Sequence, residues 1–162
     1  MTSLIEIRVT VDSLEQALER LERGLHNASP MMKEMAFVMN DAVMENFENG
    51  GRPKWLGKKT GEASKLQDTG RLKSSIVQLY DPTTAIVGTN LVYAAIHQFG
   101  GKTRPHVIRP RNKKALAFNG RVVSKVNHPG SDIPARPFLA LTEEDSAELE
   151  LVAQNYLRNL FE

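Results

Sequence analysis

The chain has 162 residues, 41% hydrophobic and 25% charged, with a formal net charge of only +2 and no cysteine. That composition belongs to a folded domain of ordinary size and excludes a disordered polyelectrolyte, a disulfide scaffold and any thiolate chemistry. No apolar run approaches the ~20 residues that span a bilayer.

Ile5, Ile7, Val9 and Val11 alternate with Glu6, Arg8 and Thr10, which predicts a half-buried strand over 4–11. The charges at Glu6, Arg8 and Asp12 interrupt any secretory leader, so a soluble protein that stays inside the cell is expected. Asp12 offers a carboxylate to the first free amides of a helix, with Glu15 placed to complete a capping box. That helix runs to about Leu25 and carries Leu14, Leu18, Leu21 and Leu25 on one stripe. Ser29 caps a second helix and Pro30 opens it. Met31, Met35, Val38, Met39, Ala42 and Phe47 form its apolar face, and Gly50 and Gly51 stop it. All six methionines lie within the first 44 positions and read as core filler.

From Gly50 to Lys65, GGRPKWLGKKTGEASK has no period and many breakers, so a flexible basic loop around Trp55 is expected. RLKSSI (71–76) makes a short helix, and IVQLY and TAIVGT make strands around the turn Asp81-Pro82-Thr83-Thr84. LVYAAIHQF (91–99) reads as a short helix stopped by Gly100 and Gly101, followed by a second irregular basic segment to 114. KALAF and RVVSKV flank Asn119-Gly120, a strong hairpin signal. NHPGSDIPARPF (127–138) is proline-rich and extended. Thr142 starts the last helix, with Glu143, Glu144 and Asp145 near its positive end and Leu149, Val152, Tyr156 and Leu160 as its buried stripe. Helices and strands are segregated, so the fold class is α+β. The expected arrangement is one domain over 1–162, with a largely antiparallel sheet, two N-terminal helices and a C-terminal helix packed on it, and long basic loops.

Charge is unevenly spread. Residues 1–50 carry four basic and nine acidic side chains, net −5; residues 51–131 carry fifteen and three, net +12; residues 132–162 carry two and seven, net −5. No acid lies between Asp81 and Asp132, and Lys102, Arg104, Arg109, Arg111, Lys113, Lys114, Arg121 and Lys125 cluster within that stretch. Arg104, Arg109, Arg111, Lys113 and Lys114 are candidates to face DNA. Phe118 is the sole aromatic among them, so base-stacking platforms are not indicated, and a solvated face fits as well. A basic middle between acidic ends also lets identical subunits attract one another around a ring.

Motifs for chemistry are weak. Asp68-Thr69-Gly70 is the triplet of retropepsin-type aspartic proteases, but it lacks the apolar strand before it. Arg71 beside it would hold Asp68 ionised, which opposes the shared proton of a dyad. Asp68 or Thr69 capping the helix from Gly70 is the simpler reading. GRPKWLGKKT has the wrong spacing for a phosphate loop, with Lys59 where a magnesium-binding hydroxyl belongs. His26, His97, His106 and His128 form no zinc spacing, and neither metal nor cofactor is implied.

Three segments in order, LQDTGRLKSSI, AIVGTNLVYAAIHQFGG and HPGSDIPARPFLALTEED, resemble the phage virion morphogenesis family, which includes tail-completion proteins of Mu-like and P2-like phages and prophages. The resemblance runs from Leu66 to Asp145, half of the chain. It implies a structural, non-enzymatic protein that finishes the tail so that it joins the DNA-filled head, assembled in the bacterial host cytoplasm and carried in the tail or neck. The implied partners are further copies of the chain in a ring, tail or neck proteins and packaged DNA, with no membrane and no small-molecule substrate. Candidate contacts are Arg71, His97, Gln98, Arg136 and Phe138. Pro134 and Pro137 pre-extend the segment around Arg136, whose guanidinium suits a bidentate contact, and Phe138 with Leu139 supplies an apolar anchor. The same apolar residues can equally lead the last helix onto the core.

Overall fold

The structure, a computed structural model, describes residues 12–57, 61–63, 66–112, 114–118 and 120–161. The strand expected over 4–11, Lys113 and Asn119 lie outside them. The described chain forms helices α1 (Asp12–His26), α2 (Ser29–Asn49), α3 (Arg71–Ser74), α4 (Ala94–Phe99) and α5 (Glu143–Phe161). Its strands are β1 (Val77–Tyr80), β2 (Ala85–Gly88), β3 (Gly101–Lys102), β4 (His106–Ile108), β5 (Leu116–Phe118), β6 (Arg121–Val123), β7 (Val126–His128) and β8 (Asp132–Ile133). The class is α+β with antiparallel pairing, as expected, but the strands form four separate two-stranded ladders, β1–β2, β3–β8, β4–β7 and β5–β6. Strands of two to four residues are too short to build one continuous sheet.

Packing divides the chain into two compact units. One takes the chain up to Glu45, Ile76–Gly88 and from Ala140 onward; the other takes Asn46–Ser75 and Thr89–Leu139.

In the first unit α1 packs on α5. The Tyr156 hydroxyl donates to the Gly24 carbonyl at 2.9 Å, and a Cβ on Gly24 would stand 2.4 Å from Leu160 Cδ1, so the small residue permits the close approach. Ala17, Leu21 and Gly24 are the least exposed of the α1 positions from Leu14 onward. The expected leucine stripe is therefore rotated: Leu21 turns inward, while Leu14, Leu18 and Leu25 remain 57%, 51% and 53% exposed. The cap of α2 is also reassigned, because Ser29 donates its hydroxyl (2.7 Å) and its N–H (3.3 Å) to the Asn27 side-chain oxygen. Ala36, Ala42 and Val43 of α2 and Val152 of α5 are buried, whereas Met31, Met35 and Met39 are half-buried. Thr142 and Asp145 cap α5 reciprocally. Thr142 N–H donates to Asp145 Oδ2 (2.8 Å) and Asp145 N–H to Thr142 Oγ1 (3.2 Å). β1 and β2 pair from Val77↔Gly88 to Tyr80↔Ala85 around the expected turn. The Asp81 carboxylate closes that turn by accepting the Thr83 N–H (2.8 Å) and hydroxyl (3.0 Å), which holds its pKa below the usual carboxylate value.

In the second unit, residues 101–108 are more regular than their sequence implies. β3 pairs with β8 and β4 with β7, partners lying some twenty to thirty residues downstream. Thr103 N–H donates to Ser131 O (2.9 Å) and Ser131 N–H to Thr103 Oγ1 (2.7 Å). Gly130, at φ +91°, lets the chains cross there, since a Cβ would lie 2.1 Å from the Thr103 carbonyl oxygen. The predicted hairpin at 119–120 is present, with Phe118↔Arg121 and Leu116↔Val123 in register.

Candidate functional site

The second unit is centred on an aromatic core to which the end of α2 and the chain around Phe138 both contribute. Phe47 and Phe138 are wholly buried with ring centroids 5.4 Å apart, and Trp55 meets Phe47 edge-on at 6.2 Å. The loop after α2 is thus anchored rather than loose through residue 57. Trp55 is buried and donates its indole N–H to Pro137 O (3.4 Å), and Gly51, at φ +94°, leaves room for the indole.

Polar side chains tie this core to backbone across long sequence separations. Buried Asn46 donates to Phe138 O (3.1 Å) and accepts from Arg52 Nε (3.1 Å). Gln98 Oε1 accepts the N–H groups of both Phe138 (3.0 Å) and Leu139 (3.1 Å). Arg136 is 8% exposed; its Nε donates to Leu56 O (3.1 Å) and its Nη2 to Gly57 O (3.3 Å), while its backbone N–H reaches His97 O (2.7 Å). A guanidinium has five donors in a fixed fork, so one side chain can satisfy two loop carbonyls that would otherwise be stranded.

Of the sequence candidates, His97, Gln98, Arg136 and Phe138 are thereby brought together, with Arg136 and Phe138 inside the unit. Arg71 lies apart from that network and lines a neighbouring cleft of about 330 Å³ with Asp68, Thr69, Leu72, Tyr93 and His97. The opening of α3 places these residues. Gly70, in the left-handed region at φ +72°, is the N-cap and makes no side-chain cap bond; one residue earlier Thr69 Oγ1 accepts the Arg71 N–H at 3.4 Å, so neither Asp68 nor Thr69 is the N-cap that the sequence suggested. Among the described residues Asp68 is the one acid that lines the cleft. Burial, and then the Arg136 charge, hold the His97 pKa below its usual value, and its Nδ1 has no hydrogen-bond partner among the described residues. Tyr93 meets its ring edge-on at 6.1 Å. A guanidinium, a carboxylate and a neutral imidazole around an open cleft suit the binding of a polar segment through charge-assisted hydrogen bonds.

Arg104, Arg109, Arg111 and Lys114 are all exposed on or beside the β4–β7 and β5–β6 ladders. Among the described residues none of them forms an ion pair. Sequence reasoning missed Asn46, Arg52 and Trp55. A polar residue on the apolar side of a long helix, between Val43 and Phe47, was the available signal for Asn46.

No helix among the described residues is long and apolar enough to cross a membrane, and they contain no group of three or more metal-ligating side chains. Residues 9–158 match the phage virion morphogenesis family. The chain is 40% identical over 158 residues to the Mu-like prophage FluMu G protein 2 of Haemophilus influenzae, covering 97% of this chain and 99% of that protein. No solved structure matches it significantly. A family match over most of the chain, joined to near-complete coverage of a prophage protein, places this chain in the phage virion morphogenesis family, with a structural role in phage assembly.

Proposed function

We propose that the protein acts in tail completion and head–tail joining, by oligomerising and by contacts with tail or neck proteins, without catalysing a reaction. The observation that carries this reading is the division of charge between the units. Among the described residues the first unit holds four basic and thirteen acidic side chains, net −9, and the second twelve basic and four acidic, net +8. Two surfaces of opposite sign on one chain attract head to tail, the arrangement that closes into rings. The cleft at Arg71 and His97 supplies a polar seat for a segment of a neighbouring virion protein. The Arg136 N–H bond to the His97 carbonyl and the Gln98 bonds to Phe138 and Leu139 anchor the helix that carries His97.

Deletion of the gene from an inducible prophage tests the step. Separate filled heads and tails, rejoined by adding the purified protein, are the expected result. Joined but non-infectious particles would move the protein to another stage, and so would empty heads. Light scattering of the pure protein, alone and with isolated tails, tests oligomerisation; a single-chain mass in both samples would overturn it.

A further inference from the structure

We propose that the apolar hollow beside the β4–β7 and β5–β6 ladders seats helix α1 of a second copy of this chain. The inference rests on the oligomer reading above and names the two surfaces that meet. The hollow has a volume of about 310 Å³ and is lined by Ile108, Leu116, Ala117, Val126 and His128. The ring of His128 turns its Nδ1 to the Gly130 N–H at 3.1 Å, which leaves the lining otherwise apolar. Val122, directly across from Ala117, is 73% exposed and extends that floor. Arg109 and Lys125 adjoin lining residues in sequence and Lys114 lies two positions before Leu116; all three are exposed and make no ion pair among the described residues. The site is thus a greasy floor with a cationic border.

α1 presents the complementary surface. Its inward side is used against α5, and Leu14, Leu18 and Leu25 point outward, each more than half exposed. At 100° per residue the exposed Glu15, Glu19 and Glu22 run along one flank of that leucine stripe. An amphipathic helix laid in an apolar groove is a common recognition mode, and charges of opposite sign on flank and border fix its register. Like units repel, so the contact is head to tail. Duplex DNA would satisfy the cations but leave floor and leucine stripe in water, since phosphate contacts need no apolar surface. The second copy accounts for both the charge and the apolar exposure.

The test uses the full chain in three forms: an α1 variant (E15K, E19K, E22K), a ladder variant (R109E, K114E, K125E), and a chain carrying both sets. Mass is read by light scattering in about 0.1 M salt, where charges act over about 10 Å. Wild type is expected to be oligomeric, each single set to fall to the mass of one chain with an unchanged circular dichroism spectrum, and the combined set to regain the oligomer. An equimolar mixture of the two single-set variants should regain an oligomer of alternating chains, because the α1 of each then meets a ladder of opposite charge on the other. L18D, which alters no partner charge, should also dissociate the oligomer. If both single-set variants keep the wild-type mass, this interface is wrong and the oligomer reading stands. A wild type that is monomeric at every concentration ends both. If the ladder variant keeps its mass and instead loses retention on DNA, the ladders face nucleic acid and the proposal is overturned.

Discussion

The two units are made in opposite ways. The first is helical, acidic and filled by small aliphatic side chains, Ala36, Ala42, Val43 and Val152; the second is loop-rich, basic and centred on Phe47, Trp55 and Phe138. Its order comes from side chains reaching backbone carbonyls 79 to 92 positions away, as Arg136 does to Leu56 and Gly57 and Asn46 to Phe138. Helices draw on repeated local bonds, each weak and replaceable, whereas a loop-built unit concentrates its stability in a few side chains that have no substitutes. Single substitutions should therefore cost more in the second unit than in the first.

Phe138→Ala carries the largest expected effect, about 3–5 kcal/mol in denaturant unfolding, because a fully buried ring is removed from between elements that cannot collapse onto the space. Val152→Ala, at a buried position of the first unit, should cost less, about 1–2 kcal/mol in the same assay. Equal losses would show that the contrast between the units is unreal. Next comes Asn46→Ala, which strands the buried Phe138 carbonyl and removes one acceptor from half-exposed Arg52. A cost of about 1–3 kcal/mol is expected for the stranded carbonyl, with Asn46→Asp recovering the acceptor but not the donor.

The same contrast explains what could be read from the sequence. Period and punctuation located α1, α2 and α5, the Asp81 turn and the 119–120 hairpin, because each is specified by residues a few positions apart. β3 and β4 read as irregular because Gly101–Lys102 and His106–Ile108 carry no alternation long enough to detect, and their partners lie beyond the next hairpin. Arg136 was legible as a residue type suited to a bidentate contact, but which groups it and Trp55 reach is a property of chain paths some 80 residues apart. The leucine stripe of α1 was legible as a stripe. Its rotation away from α5 was not, since Gly24 decides it through a close approach to Leu160 that no periodicity encodes.

Within the first unit the most localised device is the cap of α5. Thr142→Ala removes the oxygen that accepts the Asp145 N–H and should cost about 1 kcal/mol, measurable as a lower denaturant midpoint at unchanged slope. Thr142→Ser keeps that oxygen and should be close to neutral. A large loss from Thr142→Ser would mean that the Thr142 methyl, not the cap, matters.

The smallest effect belongs to His97, and it separates the units by pH. Its pKa in the fold is depressed below 6.5, first by burial and then by the Arg136 charge, so the folded chain resists a proton that the unfolded chain accepts. Its contribution to stability is therefore complete above about pH 6.5 and declines as pH falls through the folded value, with a slope of at most about 1.4 kcal/mol per pH unit. Partial exposure softens that slope. Asp81, in the first unit, also has a depressed pKa, but its contribution is present above the ordinary carboxylate range and disappears only as pH falls through its own lower folded value, below the window in which His97 titrates. His97→Gln should thus flatten the loss of stability between about pH 6.5 and 5 and leave stability near pH 8 almost unchanged, whereas Asp81→Asn should shift both ends of that range alike. If the difference between wild type and His97→Gln were constant from pH 8 to about pH 5, the imidazole would be acting through packing alone, and the Arg136 network would not be sensing its charge.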